Sequence, residues 1–289
     1  MLSKKRRSSP MKFVPLHLKL FAASVLSAMR RRMAGARTRA LLVESEQGLL
    51  LVEPGDMRVG RMLSSEGAYG ADELTRLSSL VDAQSDVLML GGHIGALAIP
   101  LAKRCRSLTV VEANPATFRL LELNLLINRI QNVRTLNLAC SDKHEQLDFL
   151  ASPANSGGSK RLPKLPKYMY SYDRPATITV RAAPLDDVFP DSTFDLITMD
   201  IEGSEYFALR GMPRLLARAR HLVVEFIPHH LTNVAGVSVA EFVDLIDPFF
   251  DCLFIPSKNL TVEKVQFRSI LQTMFERDEI DEELIFSRE

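Results

Sequence analysis

A chain of 289 residues, 46% of them hydrophobic, has apolar material for one large domain with appendages, which excludes a wholly disordered protein. Its 36 Lys and Arg nearly balance 35 Asp and Glu, so no global basic excess holds it on nucleic acid, and none is expected as a partner. Three cysteines, Cys105, Cys140 and Cys252, fit neither a disulfide framework nor a zinc ligand set, and imply a reducing, cytoplasmic setting without a bound metal.

Charge is unevenly spread along the chain. Eleven basic residues from Lys4 to Arg39 precede the first acidic one, Glu44. The run Phe13–Met29 behind Lys4–Arg7 looks like a signal peptide, yet Pro15, His17 and Lys19 interrupt it. It is also shorter than the roughly 20 apolar residues a spanning helix needs, and no small-residue cleavage site precedes Arg30–Arg32. Residues 1–38 are read first as a solvated basic extension leading into a short helix. An amphipathic helix on a membrane surface or partner is the second reading, and a transit peptide the third. Peripheral membrane contact is therefore assigned to this segment if the protein makes any.

Residues 39–82 predict a hairpin, from apolar runs Ala40–Val43 and Leu49–Val52 around a polar turn, then a helix over Ala71–Val81 with Leu74, Leu77, Leu80 and Val81 at helical spacing. Residues 83–270 change pattern. Short apolar runs, Asp86–Leu90, Ser107–Val111, Val133–Leu138, Phe194–Met199 and His221–Phe226, alternate with helical stretches Ala96–Lys103, Pro115–Asn128, Ser204–Ala217 and Val239–Asp247. That alternation predicts a parallel sheet covered on both faces. Between antiparallel strands Gln146–Leu150 and Ala176–Arg181, the segment Ser152–Arg174 interleaves prolines, glycines, bases and Tyr168, Tyr170 and Tyr172; it is expected to be an irregular loop, either a lid over the substrate or a flexible insertion. Residues 271–289 read as an acidic tail.

Ligands of an open parallel sheet bind beyond the carboxyl ends of its strands. The first strand runs into Gly91-Gly92-His93-Ile94-Gly95, a tight turn that lets a ligand reach backbone and helix start, although such glycines also serve turns alone. The second ends in Glu112-Ala113, where a carboxylate suits ribose hydroxyls. The third ends in Ala139-Cys140-Ser141-Asp142, which either borders an adenine ring or simply turns. The fourth ends in Asp200-Ile201-Glu202-Gly203-Ser204-Glu205: helix capping explains part of this acidic group, and Asp200 beside the cleft is a candidate for meeting a cationic ligand or acting as base. The fifth ends at Glu225, followed by His229 and His230, which suit proton transfer but as neighbours on a loop are more often exposed.

These residues together resemble the FkbM-type family of S-adenosylmethionine-dependent methyltransferases. The likeness lies in Glu66-Gly67-Ala68-Tyr69, Leu90–Gly95, Val111–Pro115 with Asn124 and Asn128, Asn132-Val133, Ala139–Asp142, Leu185–Asp187, Asp195–Glu205 and Val224-Glu225, and spans about Leu49 to His230. It implies a doubly wound, mostly parallel seven-stranded α/β sheet, S-adenosylmethionine as donor, and a hydroxyl acceptor on a sugar, glycan, lipid or polyketide-like metabolite. Gly91, Gly92, His93, Gly95, Glu112, Ala113, Ser141, Asp142 and Asp200 become the expected donor contacts, and Asp200, Glu202 and Glu225 the catalytic candidates. The first 38 residues are expected to be dispensable. The chain departs from the family pattern twice: Met89 stands where an acid is common, with Gly92-His93 for Ala-Asn, and Thr198 stands where a lysine is common. These departures leave open a non-catalytic binding module. A nicotinamide oxidoreductase fits less well, because the glycine turn is not G-x-G-x-x-G.

Overall fold

A computed structural model describes residues 15–288. The bases of residues 1–14, part of the expected extension, lie outside the described residues. Strands β1 (Leu41–Ser45) and β2 (Gly48–Val52) pair as the expected hairpin. The main sheet has eight strands, of which β3 (Asp86–Leu90), β4 (Ser107–Glu112) and β5 (Val133–Asn137) come first in the chain. A second sheet follows, made of β6 (Ala139–Cys140), β7 (Glu145–Ala151), β8 (Lys160–Arg161) and β9 (Ala176–Ala183). The chain then returns to the main sheet through β10 (Leu196–Met199), β11 (His221–Phe226), β12 (Cys252–Ile255), β13 (Leu260–Glu263) and β14 (Asp281–Ser287).

Across the main sheet the order is β13-β12-β14-β11-β10-β3-β4-β5. Strands β11 to β5 in that row are parallel, and β14, β12 and β13 extend them antiparallel. Seven strands match the expected sheet, and β13 adds a short edge. The chain runs outward from β3 through β4 to β5, then returns to pair β10 with the other side of β3, so strand order reverses between β3 and β10. Side chains alternate across the pleat. Leu88 and Leu90 enter one core with Met199, Leu222 and Phe286, while Val87 and Met89 enter the other with Ile99, Leu121 and Val223.

The helix Pro115–Ile127 starts where its signals put it, with Asn114 accepting from the Ala116 N–H at 3.0 Å. Its Asn124 accepts from Leu51 N at 2.6 Å and donates to Leu51 O and to Ile94 O, while Asn128 exchanges bonds with Leu49. Both asparagines thus tie the open edge of β2 to the helix that follows the second core strand. The expected helix Ser204–Ala217 divides into Glu205–Arg210 and Pro213–Leu216. Pro213 has no N–H to continue the ladder, and a Cβ at Gly211 would lie 2.1 Å from the Ser141 carbonyl oxygen.

Two readings of organisation need correction. The segment 271–289 is no separate tail: β14 lies between β11 and β12, with Leu284 and Phe286 fully buried. Its acids conceal this role, because Glu283 is buried against Arg76 and Asp281 accepts from the Ser257 N–H. The segment Ser152–Arg174 is not irregular throughout, since it contributes β8 and two 3-10 turns, Ser156–Gly158 and Tyr168–Tyr170. Asp56 holds it down by accepting from Ser156 N at 3.1 Å and from the Ser156 hydroxyl.

Candidate active site

The strand ends at the reversal point border a cavity of about 430 Å³. On one side lies the glycine turn. A Cβ at Gly91 would fall 1.9 Å from the Asp200 carbonyl oxygen, and one at Gly92 would fall 2.0 Å from a Val110 side-chain methyl, so close packing inside the protein accounts for both glycines. His93 follows with φ +48°, a strained conformation for a residue with a side chain. Its N–H donates to Glu112 Oε2 at 2.9 Å, and its ring Nε2 lies 2.7 Å from Ser156 Oγ. The other Glu112 oxygen accepts from Asn114 N at 2.8 Å. Burial pushes the Glu112 carboxyl up to about 7, against the lowering effect of the Asn114, His93 and Ala113 backbone N–H groups. Ala113 borders the same space, with Leu138, Ala139, Cys140 and Phe149 forming an apolar wall.

Three expected donor contacts are not brought to the cavity lining. Gly95 instead meets the helix, where a Cβ would be 2.9 Å from Leu121. Ser141 and Asp142 turn away because β6 leaves the main sheet to pair with β9. Ser141 N donates to Ala183 O, its hydroxyl donates to Glu145 at 2.7 Å, and Asp142 pairs with Arg210 at 3.2 Å.

Opposite the glycine turn, Asp200 directly follows β10 and lines the cavity. Glu202 and Gly203 both adopt positive φ, 56° and 95°, and this turn aims Glu202 inward. Glu205 caps it, accepting from Ile201 N at 3.0 Å, and does not line the cavity. Lys160 of β8 reaches Glu202 at 2.6 Å and His230 Nε2 at 3.3 Å. On its other side His230 Nδ1 lies 3.4 Å from Glu225 Oε2. Glu225 sits where the pairing of β11 with β14 shifts register between Val224 and Phe226, a bulge that re-aims a side chain. Both Glu225 Oε2 and His230 Nδ1 are buried without a hydrogen-bond partner among the described residues.

The electrostatics follow from this crowding. Burial first, then Asp200, Glu202 and Glu205, raises the Glu225 carboxyl well above the usual range, with Lys160 opposing. Burial and the acids Glu202, Glu73, Glu205 and Glu282 raise Asp200. His230 is driven far down by burial, Lys160 and His229, and stays neutral. Glu202 and Glu225 overcome the burial cost at Lys160 and keep it charged. With Lys160 donating to Nε2, the remaining ring hydrogen of His230 sits on Nδ1, toward Glu225.

His230 is thus buried at 5% exposure rather than solvated. Motif spacing does not single out Lys160, Ser156 or Tyr170, whose hydroxyl lies 3.0 Å from His229 Nδ1; only the basic, tyrosine-rich character of their segment marks them, and no sequence signal marks Asp56, which follows β2. Leu16 and Leu20 of the N-terminal extension also line the cavity, so that extension is part of the site's wall. Among the described residues no group of three or more His, Cys, Asp or Glu is placed to hold a metal ion.

The sequence profile of the methyltransferase FkbM domain matches residues 90–278. Among solved structures, a tRNA methyltransferase from M. jannaschii aligns over 87% of this chain at 11% identity and a TM-score of 0.43; this chain spans 57% of its length. A TehB-like SAM-dependent methyltransferase from Corynebacterium glutamicum aligns over 79% of this chain and 94% of its own, at 12% identity and a TM-score of 0.43. M. jannaschii TYW2, in complex with AdoMet, aligns over 66% of this chain and 63% of its own, at 14% identity and a TM-score of 0.36. No curated protein matches the chain.

Proposed function

The chain belongs to the FkbM family of S-adenosylmethionine-dependent methyltransferases, and from that premise we propose that it methylates a hydroxyl oxygen on a sugar, glycan, lipid or polyketide-like acceptor. The lining fits the donor. Glu112 stands where ribose hydroxyls are accepted, the wall of Leu138, Cys140 and Phe149 suits an adenine face, and the Gly91–His93 turn receives the amino-acid end. When bound, the donor supplies a methyl group on a cationic sulfur. The acidic lining of Asp200, Glu202 and Glu225 suits that positive charge.

One observation carries the oxygen assignment: Glu225 borders the cavity, and its Oε2 is buried with no hydrogen-bond partner among the described residues. A hydroxyl attacking a methyl carbon must lose its proton, and a carboxylate with a raised pKa is the stronger base. Glu225 takes that proton as the new O–CH₃ bond forms and the C–S bond breaks. Lys160, paired with Glu202, supplies the positive charge that opposes the rise of the Glu225 pKa, and His230 Nδ1 lies 3.4 Å from Glu225 Oε2. Holding the acceptor in line supplies the rest.

The test is transfer of labelled methyl to a panel of hydroxylated acceptors. Glu225→Gln is expected to lower kcat by about a hundredfold, within the range for a positioned base, while donor affinity changes little. Activity requires the carboxylate, so the rate falls as pH drops through a pKa above the ordinary carboxylate range. Lys160→Met removes a charge that lowers this pKa and is expected to move the acid limb upward. An unchanged acid limb in Glu225→Gln would exclude Glu225 as base. Donor binding without product from any acceptor would favour a non-catalytic module.

A further inference from the structure

The helix Leu16–Ala34 meets the protein through one face. Leu16 and Leu20 border the cavity, Ser27 is buried, Arg30 donates to Asp56 O at 3.1 Å, and Arg31 donates to Glu53 at 2.9 Å and Pro153 O at 3.1 Å. The opposite face is apolar as well. Leu18, Phe21, Val25 and Met29 follow one another at three- and four-residue steps, which makes a single stripe, and they are 49%, 60%, 42% and 54% exposed. An apolar stripe turned outward along a whole helix marks an interaction surface.

Charge identifies the occupant. Lys19 and Arg32 border the stripe and Arg37 and Arg39 follow it; none of the four has an ion-pair partner among the described residues. No acid occurs before Glu44. A second copy of the helix would bring like charges together, whereas a bilayer with anionic headgroups offers an apolar interior beside negative charge. No described helix is long and apolar enough to cross a membrane, so this one lies in the surface plane. Tyr168 is 52% exposed on the turn in contact with the helix, and its ring and hydroxyl suit the headgroup region.

We propose that the helix Leu16–Ala34 docks the protein on an anionic lipid surface through its Leu18–Phe21–Val25–Met29 stripe, with the cavity beside the bilayer. Docking does not depend on the identity of the acceptor or of the base, so its test stands apart from the methyl-transfer assay.

The experiment is flotation of the full chain with phosphatidylcholine vesicles, with and without phosphatidylserine. Binding to the anionic vesicles alone, weakening with salt, is expected. The double variant Phe21→Glu/Val25→Glu is expected to bind them about tenfold or more weakly, with an unchanged melting temperature because both side chains face outward. Three results would overturn the proposal: no binding by the wild type; undiminished binding by the double variant, which would assign adhesion to the basic residues alone; or a concentration-dependent dimer in sedimentation velocity that the double variant abolishes, which would make a second copy the occupant.

Discussion

Register places Met89 of β3 directly across from Thr198 of β10, and both are buried, at 5% and 7% exposure. The acid and lysine common in the family at these positions would be cross-strand neighbours on one face of the sheet, an ion pair. In this chain neither position carries a charge, so none is buried there without a partner. Met89→Asp alone is expected to destabilise the protein by about 3 kcal/mol or more, because its carboxylate has no cation opposite. Adding Thr198→Lys should recover most of that loss, and a thermal double-mutant cycle measures the coupling. Purely additive losses would refute the pairing.

Glu112 carries a second prediction at this scale. Its carboxyl is raised to about 7 and both oxygens already hold the turn through His93 and Asn114. A folded-state pKa above the unfolded value contributes stability at low pH that is lost as pH rises through about 7. The unliganded protein should thus lose this contribution between the ordinary value of 4.5 and about 7, and Glu112→Gln should abolish that part of the slope. Donor binding has the opposite demand, since ribose hydroxyls need the carboxylate, so affinity should fall as pH drops through the same range. Glu112→Ala is expected to weaken donor binding about tenfold to a hundredfold, from roughly 1.5 to 3 kcal/mol of charge-assisted hydrogen bonding. Thermal unfolding across that pH range reads the stability slope, and calorimetric titration reads the two changes in donor affinity.

At the scale of elements, β14 decides more than its composition implies. It pairs with β11 on one side and β12 on the other, so its loss would open two ladders at once. Phe286 is fully buried between Phe250 and Phe267, with ring centroids 6.3 and 5.2 Å away. Phe286→Ala is expected to cost about 3 to 5 kcal/mol, read as a lower denaturation midpoint at an unchanged slope. A loss under about 1 kcal/mol would mean that β14 is peripheral. The segment 152–174 plays the matching part at the site: β8 pairs with β7 and delivers Lys160 to Glu202. Thr198 lies outside the cavity lining, so the buried cation of this site comes from an inserted strand rather than from β10.

Across the whole molecule, the sequence alone determined what depends on near neighbours. Asp86–Leu90 and His221–Phe226 are bounded as strands by their apolar runs, and Asn114-Pro115 starts its helix, because pleat, helix turn and cap all involve residues within about four positions. The ordered motifs from Leu90 to Glu225 also sufficed for the family, and six of the nine expected donor contacts, Gly91, Gly92, His93, Glu112, Ala113 and Asp200, border one cavity, since each lies at the end of a strand whose place in the sheet follows from chain order. Tertiary structure alone decided the rest. Lys160 and His230 meet across 70 residues, Arg76 and Glu283 across 207, and the departures at Met89 and Thr198 become one feature only through register. Ser141 turns away from the cleft for the same kind of reason, a pairing of β6 with β9. Contacts between remote segments leave no periodicity in the chain, and a buried charge reads as a solvated one until the partner that neutralises it is in place.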